Sequence, residues 1–586
     1  MAVFHLLMSG FFPTSNGRMG HDYTYFLPHL LDGYFWWKLN GFFSVPWFTP
    51  SFFGGAPFLA NPQSMYHSIP QALTMFMDPV SAIYVTVLLF AAAGFFGFYA
   101  LLADPFRLSP TASALGAVLF MFNGFYVTRM IIGHFGYHSF ALAPWIVFFL
   151  TRQRIGISGL IRDVAAAALM LAYMASSGGL AIAPVMITAI LAAGLIHVAA
   201  FGGFRDFALR FTLSGAVSIG LSAAKLVATY SFLSHFPRES AIQLVRDALG
   251  AMYIILSTLF LPTDGKVEAT IMANSIYYLG PHEFDYAVSP GPALLLAVAG
   301  YMAAQKLGFT GISRRLLTTR GAAGAAVLLL AALPLVLNHQ SWLSSGLHAS
   351  VLVLKNSSIH LRWIAIYIPS VIILAALALE KTELLAKRKE LYAVVGALIL
   401  VMSGFARDWN YYRDQPYNPA PVIKAYYEAA APGFEPSINF IDETGQKGGK
   451  GEALIHYMTG TTFFLGVSPA VAYDPVFGYR LEKLPAVGLS KGEVMKEFDG
   501  LLNLRNPACF LYPEENGCPL GGRFTNTQRP EAELFRSYRP FPFHAPVRQR
   551  IANIVSLLFI PMALLALLAP WIARRRAGRA DEQATG

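Results

Sequence analysis

Charged residues are scarce in this sequence, and their scarcity excludes an ordinary soluble protein. Only 13% of the 586 residues are Asp, Glu, Lys or Arg, whereas 55% are hydrophobic and the mean hydropathy is +0.49. Soluble domains carry about 25% charged residues. Most of the chain is therefore expected to lie in a lipid bilayer rather than in water.

The chain also lacks the features of a nucleic-acid-binding protein, although its net charge is +10. The basic residues fall in short loops between apolar runs, a pattern that sets membrane orientation. The start has neither a basic n-region nor a small-residue cleavage site, which argues against a cleaved signal peptide. We therefore treat residues 1–12 as a short first helix; a start codon further upstream is the alternative.

Apolar runs of roughly spanning length recur along the whole sequence. Besides 1–12 we predict spans at 81–102, 111–127, 139–150, 164–175, 180–200, 211–232, 292–304, 321–337, 363–379, 391–402 and 551–572. A further apolar run, 252–261, is short, and we interpret it as interfacial or re-entrant. The sequence thus predicts an all-α polytopic membrane protein with about twelve transmembrane helices.

The loops that are rich in Lys and Arg alternate with loops that are poor in them, and the basic set is expected to be cytoplasmic. An even number of helices then places both termini in the cytoplasm. The extracytoplasmic segments are the first outer loop (13–79), the turn 129–138, and the loops 235–289 and 338–362. A polar segment, 406–548, is a small extracytoplasmic α/β domain inserted before the last helix, which begins the final region, 549–586.

Cysteine is nearly absent, and the two that occur lie nine residues apart in the 406–548 segment. Outside the cytoplasm a disulfide between Cys509 and Cys518 is the leading interpretation. Two reduced thiols are the alternative, and a zinc site would need more ligands than lie nearby.

Acidic side chains are few in the first outer loop, where Asp22 follows His21 in an aromatic setting. A carboxylate near a membrane is expensive to keep there, which makes Asp22 a candidate general base for a lipid-borne substrate. The alternative is an N-cap for a helix that begins at Tyr23. Asp32 lies ten residues later, a rotation of about 280° on a helix, so it is a second choice and is expected to be structural or solvated.

Several cationic or acidic residues lie near the predicted outer surface. Arg129, His134, Lys225, Arg238 and Arg362 are candidates for binding a phosphate, and membrane anchoring is the alternative for each. Lys225 is the sharpest case because it lies within an apolar run. Glu283 and Asp285 precede a span, where they could cap a helix or hold a divalent ion with Asp22 if the loops meet.

These features together resemble the GT-C superfamily of membrane glycosyltransferases, and more narrowly its bacterial YfhO-like branch. The resemblance covers about residues 1–379. Its motifs are Gly20-His21-Asp22, the run from Trp47 to Gln63 with Thr-Pro-Ser-Phe-Phe-Gly-Gly-Ala-Pro, Phe122-Asn-Gly to Gly-His134 with Pro144-Trp145, Ser222-Ala-Ala-Lys225 with Arg238, Glu283-x-Asp-Tyr-Ala-Val-Ser-Pro, and Arg362-Trp363.

The resemblance implies an enzyme of the bacterial inner membrane that moves a sugar from a polyprenyl-phosphate donor to a glycan, lipid or protein acceptor, with inversion. It implies Asp22 as base, with His134, Lys225, Arg238 and Arg362 holding the leaving lipid phosphate. The residues themselves add His21 and Glu283 as substrate-binding candidates, and Asp32, Arg129 and Asp285 as second choices. Asp22 has no adjacent acidic residue, so dependence on Mg²⁺ or Mn²⁺ stays open. The alternatives are a flippase or transporter for a lipid-linked substrate and a non-catalytic envelope-assembly protein.

Overall fold

The chain is described by a computed structural model that covers residues 1–153, 156–236, 245, 247–263, 265–274, 280–306, 318–351, 354, 359–442, 461–474 and 488–585. The fold is mostly helical (67%). Within these ranges nine helices are long and apolar enough to cross a bilayer: Pro79–Ala103, Pro110–Ile132, Ile157–Ser176, Ala183–Phe201, Phe204–His235, Thr319–Asn338, His360–Lys381, Lys389–Ala406 and Val547–Leu568. The prediction of a mostly helical chain is confirmed, and the length and apolar composition of these helices suit a lipid bilayer.

Among the described residues, four shorter apolar helices account for the remaining predicted apolar runs: Ala2–Phe11, Phe135–Thr151, Ala248–Phe260 and Pro290–Ala303. Three of them coincide with predicted spans, and the other covers the run that we interpret as interfacial or re-entrant. Each of the twelve predicted spans therefore lies on a helix, although only nine of those helices have spanning length. The total of twelve spans stays a prediction.

Helix starts follow from short polar residues placed before proline. Asp78 accepts hydrogen bonds from the backbone amides of Val80 and Ser81, and Ser109 accepts one from Ala112. In each case proline occupies the next position, where its missing N–H costs nothing. The apolar run 110–132 is interrupted by a cap without proline: the first helix ends at Met121, and the side chain of Asn123 accepts a hydrogen bond from the amide of Tyr126 and caps a second one, Gly124–Ile132.

The long helices form a bundle in which sequence neighbours are often neighbours in space. Phe204–His235 packs between Ile157–Ser176 and the last helix, Val547–Thr585, while Pro79–Ala103 packs on Pro110–Met121. Lys389–Ala406 and Val547–Leu568 keep most of their apolar surface exposed. An apolar surface of this extent is stable only against lipid or another protein.

The 13–79 loop is folded rather than extended. Its main helix, Tyr23–Asn40, starts at the predicted residue, and it is followed by a two-stranded ribbon, Phe48–Thr49 with Ala56–Pro57, and a short helix, Ile69–Leu73. The loop packs on the 406–548 segment: Met19 pairs with Tyr417 in an isolated bridge, and the amide of Gly54 donates to Ser468 Oγ.

The 406–548 segment contains both helices and strands, as the sequence predicts. Phe440–Asp442 pairs in parallel with Val467–Pro469 and antiparallel with Gly492–Glu493. A second, antiparallel sheet contains Glu497–Phe498, Leu501–Arg505 and Arg523–Thr525. Its helices are Asn410–Arg413, Ala420–Ala430, Ala508–Leu511 and Arg529–Arg536. The predicted disulfide is present between Cys509 and Cys518, with a Cα–Cα distance of 5.9 Å.

The other elements are short helices and 3₁₀ turns that connect the bundle: Gly265–Asn274, Pro281–Glu283, Trp342–Ser350, His360–Ile366 and Glu383–Ala386. Two of these turns carry site residues. Glu283 ends the turn Pro281–Glu283, and Arg362 lies in the turn His360–Ile366, directly before the helix Tyr367–Lys381.

Candidate functional site

Asp22 lies at the start of the helix Tyr23–Asn40, and it is only 2% exposed. It occupies the N-cap position, but its side chain makes no capping hydrogen bond to the helix. The structure therefore does not support the N-cap alternative for the carboxylate. Its oxygens are directed instead at side chains from other parts of the chain.

Two glycines bring Asp22 against the end of the helix Gly124–Ile132. A Cβ on Gly20 would lie 2.3 Å from the carbonyl oxygen of Ile131, and a Cβ on Gly133 would lie 2.6 Å from the amide nitrogen of Tyr23. Gly133 also has φ +99°, a conformation that costs any other residue energy. Because both positions lack a side chain, the amide of Asp22 reaches the carbonyl of Ile132 at 3.2 Å.

Three donors hold the carboxylate of Asp22. His21 Nε2 lies 2.9 Å from Oδ1, and His134 Nε2 lies 2.8 Å from Oδ2. The hydroxyl of Tyr473, from the 406–548 segment, donates to Oδ1 at 2.9 Å. The site is thus built from the 13–79 loop, the turn after Gly133 and the 406–548 segment.

The proton on His134 is assigned by its two partners. The guanidinium of Arg129 bonds to Nδ1, and because arginine can only donate, Nδ1 must be the accepting nitrogen. Nε2 then carries the hydrogen and donates it to Asp22. Burial lowers the pKa of His134 to about 4 against the opposing effect of Asp22, and Arg129 lowers it further, so the ring is neutral at pH 7.

The electrostatics of Asp22 differ from those of an isolated buried acid. Burial alone would raise its pKa, but the imidazoles of His21 and His134 hold the pKa well below its ordinary value. Burial by itself would lower the pKa of His21, but the negative charge and the hydrogen bond of Asp22, together with the charge of Glu283, outweigh burial and raise the pKa of His21 above its ordinary value. The side chain of His21 is 40% exposed. Asp22 is therefore a charged, fully hydrogen-bonded carboxylate beside an accessible imidazole.

Glu283 lies beside this group and binds two of the predicted phosphate-binding residues. Its Oε2 accepts a hydrogen bond from Arg129 Nη2 at 2.8 Å. Arg362 holds both oxygens, with Nη2 to Oε1 at 2.7 Å and Nε to Oε2 at 3.2 Å. Burial would raise the pKa of Glu283, but the two guanidiniums keep it well below its ordinary value. The two arginines are thus paired with a carboxylate and are less available to a substrate phosphate than the sequence suggested.

Lys225 has a different environment. It is buried within the spanning helix Phe204–His235, and its Nζ donates to the carbonyl of Ser64 at 2.9 Å. Among the residues that the structure describes, no carboxylate lies within 4.0 Å of this ammonium group. Arg238, the neighbouring candidate, lies outside the described residues.

The two second-choice carboxylates lie apart from Asp22. Asp285 pairs with Arg407 at 3.2 Å and accepts from the hydroxyl of Tyr412 at 3.0 Å, which ties the loop before Pro290 to the start of the inserted segment. Asp32 accepts a hydrogen bond from Ser51, whose hydroxyl also contacts that of Tyr538. Asp32 is 2% exposed, so the expectation that it is solvated is wrong, and a structural role remains.

Comparison with known proteins adds no relative. None of the family models, curated proteins or solved structures compared with the chain matches it. The resemblance to GT-C enzymes therefore stays a hypothesis that rests on the residues named above.

A metal ion is one further possibility that the geometry allows us to test. His134, His282 and Glu283 each offer one ligand atom, and these atoms lie within 4.8 Å of one another. Mg²⁺ prefers oxygen ligands, whereas two imidazoles with one carboxylate suit Zn²⁺ better. Glu283 already binds two guanidiniums, and both nitrogens of His134 are in hydrogen bonds. The donor set therefore does not fit Mg²⁺ or Mn²⁺, and we derive no step through a metal.

Sequence reasoning missed two members of the site. The ring of His282 meets that of His134 edge to face, with centroids 5.1 Å apart, and its Nδ1 bonds to the hydroxyl of Tyr411 at 2.7 Å. The sequence offered one signal for His282, because it is adjacent to Glu283, which was already a candidate site residue. Tyr473 carried no such signal, because it lies 451 residues after the aspartate that it contacts, in a segment without a motif.

Proposed function

We propose that this protein is a membrane glycosyltransferase that moves a sugar from a polyprenyl-phosphate donor to a cell-envelope acceptor on the outer face of a bacterial inner membrane. The observation that carries the proposal is the state of Asp22. Its carboxylate is buried next to the spanning helices, it does not cap its own helix, and three donors from three parts of the chain orient it.

The proposed reaction uses Asp22 as the general base. The acceptor hydroxyl attacks the anomeric carbon, a new C–O bond forms, and the bond between that carbon and the phosphate oxygen breaks with inversion. The acceptor proton passes to Asp22, and the electron pair of the broken bond leaves with the polyprenyl phosphate. An acceptor hydroxyl reaches Oδ1 by taking the place of the Tyr473 hydroxyl, which is the same kind of donor.

Lys225 is the residue that we assign to the phosphate of the lipid donor. Unlike Arg129 and Arg362 it has no carboxylate partner in the described part of the chain, and a phosphate at that depth would offset its buried charge. Its partner Ser64 belongs to the loop in which Asn61 bonds to Asp474 at 2.9 Å, next to Tyr473. This loop joins the surroundings of Lys225 to those of Asp22.

The test is transfer by the purified protein in nanodiscs supplied with a polyprenyl-phosphate sugar and with a cell-envelope extract as the source of the acceptor. We expect release of polyprenyl phosphate by the wild type and its loss in Asp22→Asn. Asp32→Asn is the matched control, because that carboxylate is equally buried in the same helix but lies outside the Asp22 cluster.

Each outcome of this experiment has a distinct meaning. Near-normal turnover in Asp22→Asn, with normal folding, would refute the assigned base. Movement of the lipid across the bilayer without bond cleavage would identify a flippase instead. Neither cleavage nor movement with any polyprenyl-phosphate sugar would favour the envelope-assembly alternative.

A further inference from the structure

The 13–79 loop exposes five large apolar side chains, although the first described helix of spanning length begins at Pro79. Phe43 is 94% exposed and Phe76 is 79% exposed. Isolated exposed apolar residues are ordinary, whereas adjacent ones mark an interaction site. Here they lie in two short runs, which together we call the 13–79 apolar patch: Phe42 and Phe43, and Ile69, Met75 and Phe76.

Met75 and Phe76 lie directly before a spanning helix. They follow the short helix Ile69–Leu73, which packs on Pro79–Ala103, and they precede Asp78, which caps Pro79–Ala103. Because that helix starts only three residues after Phe76, the boundary between lipid headgroups and acyl chains falls close to this side chain. This end of the patch is therefore placed where lipid begins.

Other parts of the loop also bond to spanning helices. The amide of Ile69 donates to the hydroxyl of Tyr173 at 3.3 Å, three residues before the end of the helix Ile157–Ser176. The carbonyl of Ser64 accepts from Lys225, in a second spanning helix, at 2.9 Å. The loop is thus attached to the bundle along its length.

The depth of Lys225 is set by the last spanning helix. The side-chain amide of Gln549 donates to the carbonyl of Ala224, the residue before Lys225, at 3.0 Å. Gln549 is the third residue of the span Val547–Leu568, so it lies about 3 Å from the start of that span. Lys225 and its partner Ser64 therefore lie close to the membrane boundary.

Phe42 and Phe43 are connected to this level through Tyr66. Tyr66 follows Ser64 by two residues, and its hydroxyl donates at 2.7 Å to the carbonyl of Ser44, the residue after Phe43. The rings of Phe42 and Phe43 lie 5.3 Å apart and form one exposed apolar pair. Both runs of the patch thus lie at the boundary that the spanning helices define, and lipid is the medium that adjoins exposed side chains there.

We propose that the 13–79 apolar patch is inserted into the lipid bilayer, with Phe43 and Phe76 among the acyl chains, although neither residue belongs to a spanning helix. Insertion holds both ends of the helix Tyr23–Asn40 at the membrane, since Asp22 precedes this helix and Phe42 follows it closely. The proposal does not rest on the transfer reaction, because it concerns where the loop lies and not what Asp22 does.

The experiment uses single-cysteine variants of the full-length protein, labelled with a nitroxide and reconstituted into phosphatidylcholine nanodiscs. The two cysteines of the chain form the Cys509–Cys518 disulfide, so that an introduced thiol is labelled alone. Collision of the nitroxide with oxygen reports contact with lipid, and collision with a water-soluble nickel chelate reports contact with water. For Phe43→Cys and Phe76→Cys we expect frequent oxygen collisions, and nickel collisions at least about fivefold rarer than at a site in water, because hydrocarbon excludes a polar solute.

Two exposed residues provide the matched controls. Phe96→Cys, in the spanning helix Pro79–Ala103, gives the lipid reference. Leu465→Cys, in the turn Phe463–Leu465 of the 406–548 segment, gives the water reference, and at 74% its exposure is close to that of Phe76. Because all four side chains are exposed, the substitutions leave the packed core intact.

The collision frequencies decide between three surroundings of the patch. Values at positions 43 and 76 that match those of the lipid reference would support insertion. Values that match those of the water reference at either position would overturn the proposal. Rare collisions with both reagents would show that another protein covers the patch, and this result would overturn the proposal as well.

Discussion

Replacement of Glu283 by glutamine should destabilise the protein more than loss of any exposed carboxylate. Glu283 is buried, and its oxygens lie 2.8 Å from Arg129 Nη2 and 2.7 Å from Arg362 Nη2. The substitution leaves two buried guanidiniums beside each other without the carboxylate that both of them bind. Removing one partner of a buried ion pair costs about 3–5 kcal/mol. We expect a loss of this size in the free energy of unfolding.

The measurement is urea unfolding in mixed micelles, followed by tryptophan fluorescence. Glu533→Gln is the matched control, because Glu533 also pairs with an arginine, Arg536, but its side chain is 50% exposed. Exposed pairs contribute about 0–1 kcal/mol. An equally small loss in both variants would refute the reasoning that the guanidiniums depend on Glu283.

A double variant separates the charge effect from packing. Glu283→Gln leaves two unbalanced guanidinium charges, and adding Arg362→Gln leaves one. Arg362→Gln should therefore lower the free energy of unfolding less in the Glu283→Gln background than in the wild type. The difference is expected to be about 0.5–3 kcal/mol, the coupling energy common among residues of one charged network. Strict additivity would contradict the proposed network.

The pH dependence of this contribution has a definite sign. The two arginines hold the pKa of Glu283 well below its ordinary 4.5, so the folded state favours the charged carboxylate. The stabilisation is fully present above pH 4.5 and is lost as the pH falls through the lowered folded pKa. Between pH 5 and 8 it should be constant, so that Glu283→Gln lowers stability equally across that range.

Two further predictions concern Gly133 and Asp32. Gly133→Ala places a Cβ 3.1 Å from the Cβ of Asp22 at a residue with a left-handed backbone, so the transfer rate should fall on the order of 100-fold. Gly404→Ala is the control, because its Cβ meets nothing within 4 Å, and it should leave the rate unchanged. An unchanged transfer rate in Gly133→Ala would contradict the close approach of Gly133 to Asp22. Burial raises the pKa of Asp32 from 3.8 to about 7, although hydrogen bonds from Ser51 and Thr49 act in the opposite direction. The protonated Asp32 side chain therefore stabilises the fold at low pH, and this stabilisation is lost as the pH rises through 7. The Tm of Asp32→Asn should therefore rise relative to that of the wild type as the pH increases from 5 to 8. Parallel curves of Tm against pH for the two proteins would contradict this prediction.

The amino-acid sequence by itself determined the class of the fold and the position of most helices. Apolar runs have to be buried in lipid or protein wherever they occur, so their lengths predict helices without knowledge of their neighbours. Proline after Asp78 and Ser109 marked two helix starts for a local reason, since a cap and its helix are adjacent in the chain. The disulfide was accessible for the same reason, because its cysteines are nine residues apart.

Only the tertiary structure decided which candidate residues act together. Asp22 could have capped its helix, and it does not, because His134 and Tyr473 reach it from distant segments. The periodicity of a sequence encodes which face of a helix is apolar, but not which carboxylate an arginine meets. Arg129 and Arg362 therefore stayed phosphate-binding candidates beside Lys225 until the contacts of Glu283, more than 70 residues from either arginine, showed that both are paired with a carboxylate.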